Sequence, residues 1–272
     1  MEAALAARRA GFRVTMLERR ASLGGQFTLA PLTTGKEAMK RPLQSLIDAV
    51  TRSGAEIRTG VEATVETILD FEPDHVIVAT GSQPMTPPIP GLDDPLTAEQ
   101  VLTGARETGA RVLILGGGLV GIEMAEHLGR AGREVVVVEL LDDVARDMEA
   151  ITRKMTLSRL AALPITILTT TKLVRVEDDE ALVSSADDGE ERSLGSFDSV
   201  LVAVGHSSYD PLSDGLRTRG VSVTVVGDAR EPRQIIDATQ AGRDAVASII
   251  WQTNGTSTDE TGGGTEEHKE KL

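Results

Sequence analysis

Gly116-Gly117-Gly118-Leu119-Val120-Gly121 has the G-x-G-x-x-G spacing of a loop that holds a dinucleotide by its diphosphate. Each glycine meets a separate need. Gly116 permits a tight turn, Gly118 lets the backbone approach the anion, and Gly121 lets a helix lie close on a strand. Main-chain N–H groups and the positive helix end then face the negative charge. Glu139, eighteen residues beyond Gly121, is placed to accept hydrogen bonds from a ribose diol. A 2′-phosphate there would meet like charge, on the order of 4 kcal/mol per unit charge at about 4 Å in an intermediate dielectric. Leu140, Leu141, Asp142 and Asp143 follow and bring no arginine, so NADH is expected ahead of NADPH.

The spacing alone is common; its context makes it specific. An aliphatic strand, Val112–Leu115, runs into the loop, a helix over Leu119–Arg130 leaves it, and Val135–Val138 forms the next strand. Much of this block occurs twice. Glu2, Ala4, Arg9, Ala10, Gly11, Val14 and Glu18 match Glu123, Ala125, Arg130, Ala131, Gly132, Val135 and Glu139 at one fixed offset. Further on, DHVIVATG at 74–81 is echoed by DSVLVAVG at 198–205. The chain therefore reads as two nucleotide-binding units, the first lacking its opening strand and glycine loop. Glu18 is the counterpart of Glu139 and should also meet an adenosine ribose. Arg19 and Arg20 are equally phosphate or adenine neighbours and plain surface arginines. Gly24, Gly25 and Gln26 form a second small-residue loop. Thr80-Gly81, Gly205 and Gly227-Asp228 end strands, and the carboxyl ends of parallel strands face the ligand crevice. Asp228 could equally cap the following helix or hold a cofactor hydroxyl.

The fold expected is α/β, two Rossmann-like dinucleotide-binding domains with the second inserted in the first. Residues 1–107 form the first segment of one domain, 108–206 the inserted domain and 207–253 the return segment. A glycine-, threonine- and glutamate-rich tail over 254–272 should be disordered. Helices are expected over Met1–Ala10, the second half of Gly35–Val50, Ile151–Ala162 and Ile235–Trp251. Short strands are expected over Arg13–Leu17, Glu56–Arg58, Ala63–Val65, Val76–Ala79, Ile165–Leu168, Leu173–Val176, Ala181–Ser184, Val200–Val204 and Val221–Val226. The last helix should present Ile235, Ile236, Thr239, Val246, Ile249 and Ile250 on or near one side.

Composition narrows the chemistry. The 272 residues include no cysteine, which removes disulfides, thiolate catalysis, cysteine-bound zinc and iron–sulfur ligation from this chain. None of the four histidines lies at metal-ligand spacing from another. A formal charge of −14 disfavours nucleic acid and anionic membranes as partners. No run reaches membrane-span length and no signal peptide is evident, so a cytoplasmic setting is expected. Six aromatic residues among many Val, Leu, Ile and Ala suit parallel sheets covered by helices.

The order of LGGQF, ATG, PPIPG, GGGLVG, VAVG and VVGDA resembles the two-dinucleotide-binding flavoproteins. Leu23-Gly24-Gly25-Gln26-Phe27, followed by Gly35-Lys36-Glu37, is similar to the C-terminal part of 2,4-dienoyl-CoA reductase and related NADH:flavin oxidoreductases. That resemblance, from Met1 to about Trp251, implies FAD on the first unit and NAD(P)H on the second. It assigns Glu18, Gly25, Gln26, Thr80, Gly81 and Asp228 to FAD, and Gly116, Gly118, Gly121, Glu139 and Gly205 to the nicotinamide dinucleotide. Hydride would pass between the cofactors, so no side-chain acid, base or nucleophile is required. It also implies a partner domain, absent here, carrying FMN in a barrel and an iron–sulfur cluster. A non-catalytic nucleotide-binding or assembly module, and a fragment of an amine dehydrogenase-like relative, are the competing readings. A disulfide reductase is disfavoured for want of a cysteine pair.

Overall fold

The computed structural model describes residues 1–185 and 189–256, with side chains up to Thr253. In chain order the elements are α1 (Glu2–Arg9), β1 (Thr15–Glu18), α2 (Lys40–Arg52), β2 (Glu56–Thr59), α3 (Val65–Leu69), β3 (His75–Val78), β4 (Ser82–Pro84), β5 (Leu96–Thr97) and α4 (Ala98–Leu102). Then come β6 (Arg111–Leu115), α5 (Leu119–Arg130), β7 (Glu134–Val138), α6 (Ala150–Leu160), β8 (Ile165–Leu168), β9 (Thr171–Glu177), β10 (Glu180–Ser185) and β11 (Glu191–Ser196). The last are β12 (Ser199–Val202), β13 (His206–Ser208), α7 (Ser213–Thr218), β14 (Ser222–Val225) and α8 (Ile235–Thr256). A discontinuous unit comprises Met1–Leu23, Ser45–Thr80 and the chain from Asp210. An inserted unit comprises Gly24–Gln44 and Gly81–Tyr209.

The inserted unit is built on a parallel five-stranded sheet of order β5-β12-β6-β7-β8. Successive residues of β6 point to opposite faces. Val112 and Ile114 pack with Met124, Ala125 and Leu128 of α5. Leu113 and Leu115 pack with Leu173, Ala181 and Val183 of β9 and β10. One face is thus covered by helix, and the other by the antiparallel sheet β11-β10-β9. β11 reads ERSLGS and has no apolar alternation to announce it. It is held from outside its own sequence, by pairing with β10 and by Arg111, whose guanidinium donates to Leu194 O and Ser196 O and stacks on Phe197.

The discontinuous unit carries two parallel pairs, β1-β2 and β3-β14. In the inserted unit β6 lies between β12 and β7. β3 and β1 are the repeat counterparts of those neighbours, and among the described residues no strand joins them. Their core is Ile68, Val78, Leu212, Leu216 and Ala229, with Leu17, Val76 and Val223 against it.

Three expectations are corrected. Val65 opens a helix rather than ending a strand, because Thr64 and Thr67 make a reciprocal cap: each side chain accepts from the other's backbone N–H. On α8 the buried residues are Gly242, Ala245 and Val246, Gly242 meeting Ala3 of α1; of the expected side, Val246 is buried, while Ile235 and Ile236 are exposed, Ile236 by 71%. A small residue permits close helix contact that a count of large apolar side chains does not reveal. α8 also runs on to Thr256, and the remainder of the tail expected over 254–272 lies outside the described residues.

Glu126 on α5 is the one acidic side chain buried among the described residues. It accepts from Arg130 one turn on, and from Arg159 of α6 at 2.7 and 2.9 Å. The Arg159 bond, ahead of those from Arg130, holds its carboxyl below the ordinary glutamate range. Breaking a buried ion pair from one side leaves uncompensated charge. Glu126→Gln should therefore lower stability by about 2 kcal/mol, less than for a fully buried pair because both arginines reach water. Urea unfolding of the two proteins measures the difference.

Candidate functional site

Three consecutive glycines follow β6, and each is required or permitted for its own reason. Gly116 has φ +103, and a Cβ there would stand 2.5 Å from Ala203 O, at the end of the adjacent strand β12. A Cβ on Gly117 would stand 2.6 Å from Val144 Cγ1. A Cβ on Gly121 would stand 1.9 Å from Gly116 O, so α5 lies on the loop at a distance only glycine allows. Gly118 differs. Its φ of −69 suits any residue, and a Cβ would meet nothing closer than the Asp147 carboxylate at 3.7 Å. Folding does not demand glycine at 118. That position is an open backbone face at the start of a twelve-residue helix, the feature needed for main-chain contact with an anion.

Glu139 directly follows β7, beside the loop. Its Oε2 accepts from Gly117 N–H at 2.6 Å and its Oε1 from Leu141 N–H at 2.8 Å. Both oxygens therefore already have a partner, and each keeps a free lone pair for a diol. Gly116, Glu139 and the Ala203–Gly205 turn follow three adjacent parallel strands, β6, β7 and β12, at one sheet edge. Gly205 has φ +109 and its carbonyl accepts from Met85 N–H.

Glu18 in the discontinuous unit repeats this geometry. Its Oε1 accepts from Arg20 N–H at 2.8 Å, as that of Glu139 does from Leu141 N–H. The carbonyls of Glu18 and Arg20 accept from Val61 and Gly60, and those of Glu139 and Leu141 from Thr171 and Thr170. The sequence repeat is thus a repeat of main-chain bonding. Arg19 follows β1 directly. Thr80 lies just past β3, and Gly227 and Asp228 just past β14, on strands paired in parallel. Asp228 accepts from Arg233 N–H, ahead of α8, while the α8 residue Asp237 accepts from Gln234 N–H.

The remaining predicted residues fall in the inserted unit. Gly24 and Gly25 have φ of +123 and +53. Gln26 donates to the Ser82 carbonyl and hydroxyl, both at 3.2 Å. Gly81 accepts from Tyr209 N–H, beside the β4–β13 pair. The structure therefore groups Gly116, Gly118, Gly121, Glu139 and Gly205 at one sheet edge. It places Glu18, Arg19, Thr80, Gly227 and Asp228 at strand ends of the other unit.

Two features had no signal in the sequence. Asp147, in the loop after β7, accepts from Leu119 N–H at 3.1 Å, the first amide of α5. Lys36 forms an ion pair with Glu123 of α5, and Thr34 Oγ1 lies 3.3 Å from His127 Nδ1 one turn on. These contacts hold segment 24–44 to α5, and no local periodicity encodes contacts so distant in sequence. Burial raises the Glu123 carboxyl above the ordinary range, with the Asp147 and Glu126 charges adding to it and Lys36 opposing. Among the described residues there is no cluster of metal-ligating side chains, and no helix is long and apolar enough to cross a membrane.

Residues 1–228 match the family described as pyridine nucleotide-disulphide oxidoreductase. The chain is 35% identical over 259 residues to an NADH oxidase of Thermoanaerobacter brockii, covering 93% of this chain and 39% of that protein. It is 33% identical over 233 residues to a bilirubin reductase of Mediterraneibacter gnavus, covering 85% and 36%. Among solved structures, 2-naphthoyl-CoA reductase in complex with 2-naphthoyl-CoA superposes with a TM-score of 0.82 at 25% identity, covering 89% of this chain and 37% of the other. The chain thus spans well under half the length of these larger proteins.

The raised carboxyl of Glu123 has a signed consequence. A group that binds its proton more tightly when folded stabilises the fold at low pH and loses that contribution as pH rises through the raised value. Between about pH 4 and about pH 7, wild-type melting temperature should fall relative to that of Glu123→Gln. Parallel melting curves would remove Glu123 as the cause.

Proposed function

Because this chain belongs to the pyridine nucleotide-disulphide oxidoreductase family, we propose that its inserted unit binds NADH on the loop 116–121 and that its discontinuous unit contributes to an FAD site. The cofactors supply the hydride chemistry when bound. The protein's part is to bind, orient and bias charge. The amides at the start of α5 and the helix dipole take the diphosphate over Gly118. Glu139, fixed by two backbone amides, offers its remaining lone pairs to the adenosine ribose. That carboxylate, with no arginine in the Leu140–Asp143 stretch, favours NADH over NADPH. In the discontinuous unit we assign Glu18 the same part, with Arg19, Thr80, Gly227 and Asp228 at strand ends of that unit.

The observation that carries this reading is Gly118: the one glycine of the loop that the fold does not need, on the open face at a helix start. The disulphide in the family's description has no counterpart here, since no cysteine is present to attack or be attacked. The electrons are assigned instead to a separate partner domain bearing FMN and an iron–sulfur cluster, which receives them from FAD.

Gly118→Val separates ligand contact from folding. It should leave the chain folded by circular dichroism, apart from a loss of about 1 kcal/mol at the helix start, and weaken NADH binding at least about tenfold by calorimetric titration. Equal affinity would remove the loop from the site. Wild-type protein should also bind NADH more tightly than NADPH, by at least about tenfold; equal constants would remove the role given to Glu139. An NADH-dependent diaphorase assay with added flavin separates hydride transfer from mere binding.

A further inference from the structure

We propose that Asp147 is a built-in competitor for the dinucleotide's diphosphate: its carboxylate occupies the start of α5 and must give way when the anion binds, which sets the affinity of the site. The inference rests on the assignment of loop 116–121 to the dinucleotide. Asp147 Oδ2 accepts from Leu119 N–H at 3.1 Å, and its two oxygens lie 3.7 and 4.0 Å from where a Cβ on Gly118 would stand. That is the face the diphosphate needs. An aspartate carboxylate is itself an anion with paired acceptor oxygens, so it satisfies the same donor that a phosphate oxygen would.

The position is held by the chain around it. Ala145, with φ +51, is buried and donates its N–H to Gly117 O at 2.7 Å. Val144 is buried beneath Gly117. Met148 N–H closes the turn on Ala145 O at 3.1 Å. The turn is therefore bolted to the glycine loop on both sides of Gly117, and Asp147 projects from it onto the helix start.

Charge in the loop is arranged so that Asp147 is left uncompensated. Arg153 pairs with Asp143 and donates to Val144 O, and Arg146 pairs with Asp142 at 3.4 Å. Among the described residues Asp147 forms no ion pair; its partner is the Leu119 amide. Its charge also reaches Glu123 on the first turns of α5. A diphosphate arriving at this helix start meets a carboxylate already in place, and either displaces it or pays for like charges side by side.

Calorimetric titration of NADH and of ADP-ribose into the full chain tests this, with wild type, Asp147→Asn and Asp142→Asn compared. Asp142→Asn makes the same change in net charge on the same loop, away from the helix start. Asp147→Asn should tighten both ligands by about three- to thirtyfold, and Asp142→Asn should change them less than twofold. Ligand-free Asp147→Asn should melt below wild type, and saturating NADH should raise its melting temperature by more. Unchanged or weakened binding in Asp147→Asn, with wild type still binding, would overturn this proposal and leave the loop assignment standing. An equal gain in Asp142→Asn would also overturn it, in favour of net charge. Failure of all three proteins to bind either ligand would remove the loop assignment and this proposal together.

Discussion

The inserted unit is organised by one close approach. Gly121 brings the first turn of α5 onto the carbonyl of Gly116, and Gly116 in turn lies under the Ala203 carbonyl at the end of β12. With side chains at these positions the helix could not reach the strand ends. The start of α5 would then stand away from the edge where β6, β7 and β12 finish together. The same approach brings the apolar face of α5 onto the sheet, where Met124, Ala125 and Leu128 cover Val112 and Ile114. Core packing and site geometry are thus one constraint, and a change that loosens one loosens both.

The two units show what a repeat conserves in physical terms. α1 and α5 end alike, with Gly11 and Gly132 in the left-handed region and a bond from the next residue back five positions, from Phe12 to Ala7 O and from Arg133 to Leu128 O. Glu18 and Glu139 then close the same turn with the same amide two residues on. Among the shared residues, Gly11/Gly132 and Glu18/Glu139 are those whose backbone geometry or side-chain bond shapes a turn. Retention of the glutamate in both units is therefore explained in part by the turn it makes, independently of any ribose.

Much of the architecture was legible because it follows local rules. Aliphatic runs became strands, Gly11 and Gly132 stopped helices, and the glycine loop sat between strand and helix as its spacing required. The misses share a cause. The hold of Arg111 on β11, the close contact at Gly242, the Lys36–Glu123 pair and the hold of Asp147 on α5 are all set by partners distant in sequence. Ala63–Val65 failed for a different reason: two threonines three apart can cap a helix as readily as they can fill a strand, and the reciprocal cap decided it. For the site, the glycines could be placed from sequence. That both oxygens of Glu139 are engaged by backbone amides could not, since this depends on how the loop 116–121 folds back toward β7.

An anion site is most easily built with arginine or lysine, and the one proposed at loop 116–121 does without them. The groups around the start of α5 are Glu139, Asp147 and Glu123, and the nearby cations are engaged: Lys36 by Glu123, Arg153 by Asp143, Arg130 and Arg159 by Glu126. Attraction must then come from main-chain dipoles, which act over a single turn, against side-chain charges of the opposing sign. On the proposed reading, such a balance would favour a ligand whose charge is confined to the diphosphate and would penalise added phosphates. A hydride donor that must bind, react and leave at each turnover needs moderate affinity rather than the tightest possible grip. On the proposed reading, an acidic setting around the start of α5 would provide that without weakening the glycine contacts at 116 and 121 on which the fold itself depends.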